Sequence, residues 1–237
     1  MPELVDEAPV SALAVYAHPN DPEVSCGGTL ARWTRAGAEV HVLVATRGDK
    51  GSSDPDVDAD ELAVLRAEEM AAAARVLGLA GHHQLGIDDG ELENTPAVRS
   101  RIVELIRRLR PEVLVCPDPT AVFFGDRYYN HHDHRITGWA TLDAAAPMAG
   151  SPHYFPGFGG VHAVPRVLMS GTLEPNVWVD VTATLETKVD ALFCHRSQLP
   201  TTDEWFRDFL RDRAEESGRV AGVRYAEGFR SSIPSSS

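Results

Sequence analysis

Leu13-Ala14-Val15-Tyr16-Ala17-His18-Pro19-Asn20-Asp21-Pro22-Glu23 runs from an apolar stretch into a polar turn, and Cys26-Gly27-Gly28-Thr29-Leu30 follows it. Residues 12–17 read as a buried strand. Residues 26–36 read as a helix stopped by Gly37, and Glu39–Thr46, rich in valine, as a second strand. Strand, helix and strand at this spacing form a βαβ unit, so the two strands should lie parallel with a right-handed crossover. Open sheets of this kind take their ligands at the carboxyl ends of the strands. The turn carrying His18 and Asp21 is therefore where chemistry is expected.

The pattern continues in alternation. A helix is expected over 60–77, with Leu62, Leu65, Met70, Ala73 and Val76 inward and Arg66, Glu68 and Glu69 on other faces. Strands follow at 82–87, 113–116, 166–169 and 177–181, and helices at 95–110, from His132 onward, at 182–197 with Thr182 as N-cap, and at 201–217 with Trp205, Phe206, Phe209 and Leu210 inward. The Gly-, Pro- and aromatic-rich segment 149–160 reads as a mobile lip near the site. These expectations make an α/β fold, a mostly parallel sheet flanked by helices. A single domain spans 1–230, with a frayed tail at 231–237.

The chain has 237 residues, 43% apolar and 24% charged, which suits one globular domain with a substantial core. Its net charge of −13, with no dense Lys/Arg block, excludes a nucleic-acid or anionic-membrane surface. Three widely spaced cysteines imply a reducing compartment and match no Cys-type zinc site. The first residues lack a signal-peptide pattern and no run approaches membrane-spanning length, so a cytoplasmic protein is expected.

A histidine and a carboxylate three residues apart, His18 and Asp21, can turn toward one point. A second cluster, Tyr129-Asn130-His131-His132-Asp133-His134-Arg135, follows the strand at 113–116, and its histidines at 131 and 134 fall three apart at a helix start. One ligand from that cluster would complete two nitrogens and one oxygen around a divalent ion with a position left open, the set of a hydrolytic zinc site. Each cluster alone reads equally well as a turn or a solvated loop; both at strand exits point to metal. Asp49, in the loop after the second strand, is singled out as a substrate contact, and Asp89 and Glu91 fall in another loop on the same rim. His82 and His83, adjacent on a strand, point to opposite faces and do not readily share an ion. Cys26 at a helix start, paired with His131, would make a cysteine hydrolase, but such cysteines are often buried packing residues. Trp139, Phe155 and Phe158 either form a contact in a homo-oligomer or fill the core.

At its two histidine clusters the sequence resembles the PIG-L or LmbE-like zinc-dependent N-deacetylases, which carry Ala-His-Pro-Asp-Asp early and His-x-Asp-His later on a Rossmann-like sheet. The likeness extends to Thr46-Arg47-Gly48-Asp49-Lys50-Gly51, Asp89-Gly90-Glu91-Leu92 and His195-Arg196-Ser197-Gln198. It implies that His18, Asp21 and His134 hold Zn²⁺, with iron as a possible replacement. It further implies that His131 lies beside the scissile amide, as general acid or as a cation facing the oxyanion. Asp133 would orient a histidine, and Tyr129 would polarise the carbonyl. The implied partner is a small N-acetylated sugar or sugar-bearing metabolite; the alternatives are an amidase of thiol-sugar or secondary-metabolite conjugates, and a ligand-binding protein without turnover.

Asn20 departs from the pattern. The family has aspartate there, as the base that takes a proton from the attacking water, and an asparagine amide cannot accept a proton at neutral pH. Three readings follow: a substitution that lets a substrate complex persist, a natural non-catalytic relative, or a takeover by another carboxylate such as Glu23 or Asp49. The intact remainder of the motif favours the first.

Overall fold

The computed structural model describes residues 3–126, 128–199 and 203–234. In chain order the elements are β1 (Glu3–Leu4), β2 (Ser11–Tyr16), α1 (Asp21–Arg35), β3 (Glu39–Thr46), α2 (Ala59–Leu77), β4 (Gly81–Ile87), α3 (Pro96–Leu109) and β5 (Val113–Pro117). There follow β6 (Phe123–Phe124), β7 (Tyr128–Tyr129), α4 (His132–Asp143), β8 (Arg166–Ser170), β9 (Val177–Asp180), α5 (Leu185–Leu192), α6 (Asp203–Ala221) and β10 (Ala226–Ser232). Among the described residues no helix is long and apolar enough to cross a membrane.

Among the described residues eight strands form one sheet in the order β1-β9-β10-β8-β5-β2-β3-β4, and β6 and β7 form a separate hairpin. Strands β8, β5, β2, β3 and β4 are mutually parallel, whereas β10 runs antiparallel to both β8 and β9. From β2 the chain steps outward to β3 and β4, then returns across β2 to β5. The carboxyl ends of β2 and β5 therefore flank a topological switch point, where an open α/β sheet leaves a crevice. Alternate residues of β2 serve the two cores. Ala12, Ala14 and Tyr16 pack with Leu30 and Trp33 of α1 and Met70 and Leu77 of α2, while Leu13 and Val15 pack with Ile102 and Ile106 of α3 and Ala140 of α4.

Four of the expected helices need correction. Helix α1 begins at Asp21, five residues earlier than the reading, because Pro22 suits the first turn and Asp21 and Glu23 favour the positive end of the helix; the irregularity falls at Cys26 (φ −143°). On α2, Arg66 and Glu69 are buried while Leu65 and Val76 are exposed: the helix lies across the strand-end loops, and its inward face meets loop carbonyls and amides as well as core. The stretch expected as one helix over 182–197 is the shorter α5 and a turn at Arg196–Gln198; Thr184 precedes α5 and its hydroxyl donates to the Gly28 carbonyl instead of capping. On α6, Leu210 is buried, but Trp205 is 62% exposed and Phe209 37%; residues 201 and 202 of the expected helix lie outside the described residues.

The expected lip at 149–160 lies at the other end of the molecule from the His18 turn. Buried Arg107, near the end of α3, donates to the carbonyls of Met148, Ala149, Ser151, Tyr154 and Phe155, and His162 bonds the Pro111 carbonyl just before β5 begins. Phe155 packs on the core and stacks on Phe158, while Trp139 is 45% exposed. Nor does the chain fray at 231, since Arg230, Ser231 and Ser232 pair with Met169, Leu168 and Val167 of β8. Residues 235–237 lie outside the described residues.

Strand β10 is tied to α1 through a buried charge pair. Where α1 is irregular, the amides of Gly28 and Thr29 donate to Glu227 at 3.1 and 2.8 Å, and Lys188 of α5 donates to the same carboxylate at 2.6 Å. Gly28 is required by this approach, because a Cβ there would fall 2.8 Å from Val181 Cβ. Removing one partner leaves the other charge buried and unpaired, which costs about 3–5 kcal/mol. Lys188→Met is therefore expected to lower the unfolding free energy by about that amount in a urea titration; a loss below about 1 kcal/mol would show that the pair contributes little.

Candidate metal and active site

The turn after β2 and the start of α4, which follows β5, meet at the switch point. His18 Nδ1 lies 3.2 Å from Asp21 Oδ2 and 3.2 Å from His134 Nε2, and those last two atoms are also 3.2 Å apart. Donors bound to one ion at about 2.0–2.1 Å with near-tetrahedral angles stand about 3.2–3.4 Å from one another. The triangle therefore fits a single divalent ion. Each imidazole also has a partner on its other nitrogen, which fixes its orientation. His134 Nδ1 faces Asn130 Oδ1 at 2.9 Å, and His18 Nε2 faces Asp89 Oδ1 at 3.1 Å and Asp133 Oδ2 at 3.3 Å.

A second grouping, His18, Asp89, His131 and Asp133, also meets the spacing for a metal. It uses the opposite nitrogen of His18, and His131 Nδ1 stands 3.9 Å from Asp133 while accepting from the Asp133 amide at 3.2 Å. Asp133 is fully buried, with Oδ2 also accepting from the Gly90 amide at 2.7 Å. The carboxylates on that side are held by backbone donors or His18, an arrangement suited to orienting the imidazole. The three-atom triangle is the tighter ligand set.

Electrostatics accord with a cation site. Burial disfavours a charged His18, but Asp21, then Asp133 and Asp89, outweigh it and push its pKa up to about 12. Burial likewise opposes the Asp21 carboxylate, but His134 and His18 hold it well below the usual range. His131 shifts the other way, its pKa lowered by partial burial and by the neighbouring His18 charge.

Asn20 has φ 98°, and its Oδ1 accepts from Arg66 Nη2 at 3.1 Å. The same guanidinium, buried on α2, donates to the carbonyls of Pro19 and Gly48 at 2.7 Å each, bracing the turn. A polar cavity of about 450 Å³ is lined by His18, Asn20, Lys50, Arg66, Asp89, His131 and Gln198. Glu69 on α2 holds Gln198 in place by accepting from the amide and hydroxyl of Ser197 at 2.7 and 2.6 Å. A second cavity of about 580 Å³ takes Asp21 and His134 into its wall.

Three sequence expectations are displaced. Asp49 is buried and accepts from the Asp89 amide at 2.8 Å, so it supports that loop from behind and is not placed to touch substrate. Glu23 is buried against His195 at 3.4 Å, away from position 20. Tyr129 is 69% exposed on the hairpin and lines neither cavity. The cysteine-hydrolase alternative also fails, because Cys26 is fully buried and burial pushes its thiol well up in pKa. Arg66 and Asn130 were missed as site residues. Asn130 carries one usable signal, lying four positions before His134.

The family model described as PIG-L: GlcNAc-PI de-N-acetylase matches residues 13–145, a span that includes the whole triangle. The chain belongs to the PIG-L family. Among PIG-L relatives, the diacetylchitobiose deacetylase of Thermococcus kodakarensis is 36% identical over 224 residues, covering 92% of this chain and 81% of that one. A 1D-myo-inositol 2-acetamido-2-deoxy-α-D-glucopyranoside deacetylase of Kineococcus radiotolerans is 33% identical over 175 residues, 61% of this chain and 47% of that one. The solved N,N'-diacetylchitobiose deacetylase of Pyrococcus horikoshii superposes with a TM-score of 0.87 at 31% identity, covering 95% of this chain and 84% of that one.

A metal entering the triangle must displace the His18 proton, so apparent affinity should rise with pH through the neutral range. Calorimetric titration of Zn²⁺ in buffers of different ionisation enthalpy is expected to show release of about one proton per ion. His18→Ala should abolish tight binding. Affinity independent of pH would contradict the protonated state of the empty site.

Proposed function

We propose that this PIG-L chain is a zinc-dependent N-deacetylase of a small amino-sugar-containing metabolite, with His18, Asp21 and His134 as the ligands. The observation that carries the reading is the triangle of donor atoms, 3.2 Å on each side, bordering a polar cavity. The names of the relatives, both deacetylases of acetamido sugars, support the substrate class. When bound, the ion polarises the amide carbonyl and lowers the pKa of an attacking water.

The chain's own groups supply the rest. His131 keeps its Nδ1 as acceptor for the Asp133 amide, so the neutral ring carries its proton on Nε2 and donates to the oxyanion as it forms. Asp133 fixes His18 and ties the Gly90 loop to it. Asp89, Lys50 and Gln198 offer acceptors and donors to sugar hydroxyls. Hydrolysis breaks the amide C–N bond, forms a C–O bond to the water oxygen and transfers a water proton to the leaving amine, giving amine and carboxylate.

Position 20 faces this cavity, and as asparagine it takes no proton. Neither Glu23 nor Asp49 is placed to replace it; Asp89 is the remaining carboxylate in the cavity wall. Loss of a positioned base lowers the rate on the order of 10²–10⁴-fold. Asn20→Asp is therefore expected to raise acetate release from N,N'-diacetylchitobiose by on the order of 10²–10⁴ with Zn²⁺ binding unchanged. If that variant stays as slow as the parent while both bind the sugar, the chain is a binding protein without turnover. In the Asn20→Asp background, His131→Ala should lower kcat by about 10²–10³.

A further inference from the structure

The two cavities that flank the triangle differ in chemistry. The polar one holds position 20 and His131, so the scissile carbonyl must be presented at its metal end. The larger one begins at Asp21 and His134 and is then walled by Phe124 and Tyr128 of the hairpin and Phe206 and Phe209 of α6. Its aromatic rings support one another, with centroids 5.6 Å apart for Phe124 and Tyr128 and 5.8 Å for Phe206 and Phe209. At about 580 Å³ it far exceeds what a methyl group fills, a volume close to the roughly 30 Å³ share of one liquid water.

An amide has two substituents to place on either side of its reacting carbon. Sugar hydroxyls need the charged and amide groups that Lys50, Asp89 and Gln198 supply, which puts the amino sugar in the polar cavity. The acyl group then passes over Asp21 and His134 into the aromatic one. We propose that this aromatic cavity is an acyl subsite, and that the chain takes N-acyl amino sugars whose acyl group is longer than acetyl. This rests on the amide-binding reading above, but not on turnover.

The test measures binding and hydrolysis separately. Calorimetry on the Zn²⁺-loaded chain compares N-acetyl-, N-butyryl- and N-hexanoylglucosamine, and beside them the methyl, butyl and hexyl glycosides of N-acetylglucosamine. Each methylene buried is expected to tighten binding by up to about fourfold, so Kd should fall at least about tenfold from acetyl to hexanoyl, with the glycoside series flat. Phe209→Ala, at a side chain 37% exposed and so tolerant of change, should reduce the hexanoyl-to-acetyl affinity ratio toward one. A flat acyl series, a gain confined to the glycosides, or an unchanged ratio in Phe209→Ala would overturn the assignment.

Amine release is followed in Asn20→Asp on the same acyl series. Acetyl cleaved with hexanoyl neither bound nor cleaved sinks the subsite and leaves the deacetylase. Acyl-length-dependent binding with no amine release from any compound sinks the hydrolase and leaves the subsite.

Discussion

The parallel pairing of β2 with β5 is the constraint on which the site depends. Ala12, Leu13 and Ala14 are held opposite Val113, Leu114 and Val115, so the turns that leave the two strands emerge on one rim. Because the chain reverses its direction of travel across the sheet at this pair, the two turns border a crevice at the strand ends, into which the start of α4 brings His134. Residues more than a hundred positions apart in sequence thus place three donor atoms 3.2 Å from one another.

That convergence is electrostatically expensive, and the surroundings are built to sustain it. Asp21, Asp89 and Asp133 crowd one imidazole in a buried setting, which favours a cation at their centre, proton or metal. The second nitrogens of His18 and His134 are held by Asp89 and Asn130, which orients both rings toward the triangle. Behind the ligands, Arg66 takes up the carbonyls of Pro19 and Gly48, and Glu69 fixes the turn that carries Gln198. Helix α2 works less as a cover for the sheet than as a brace for the rim.

Much of this could be read from residue order. The expected strand Glu39–Thr46 coincides with β3, and the helices at 60–77 and 95–110 differ from α2 and α3 by a residue at their ends, since apolar spacing and punctuation by Gly78, Pro96 and Pro111 are local signals. Strand β10 escaped because Ala226-Glu227-Gly228-Phe229-Arg230-Ser231-Ser232 has no β-branched residue and its place between β8 and β9 is supplied by partners far away in sequence. The segment 149–160 misled for a related reason: Gly, Pro and aromatic content signals irregular backbone but not location, and location here follows from Arg107.

By itself the sequence determined the α/β class, the βαβ start and which two His-Asp clusters stand at strand exits, because periodicity, Pro/Gly punctuation and His-Asp spacing are properties of short segments. The tertiary structure alone decided which nitrogen of each histidine faces the triangle, that Asp49 and Glu23 turn away from it, and that Arg66 and Asn130 serve it. Those outcomes depend on distances between segments brought together by the sheet, and a side chain's partner across such a gap leaves no periodic trace in its own neighbourhood.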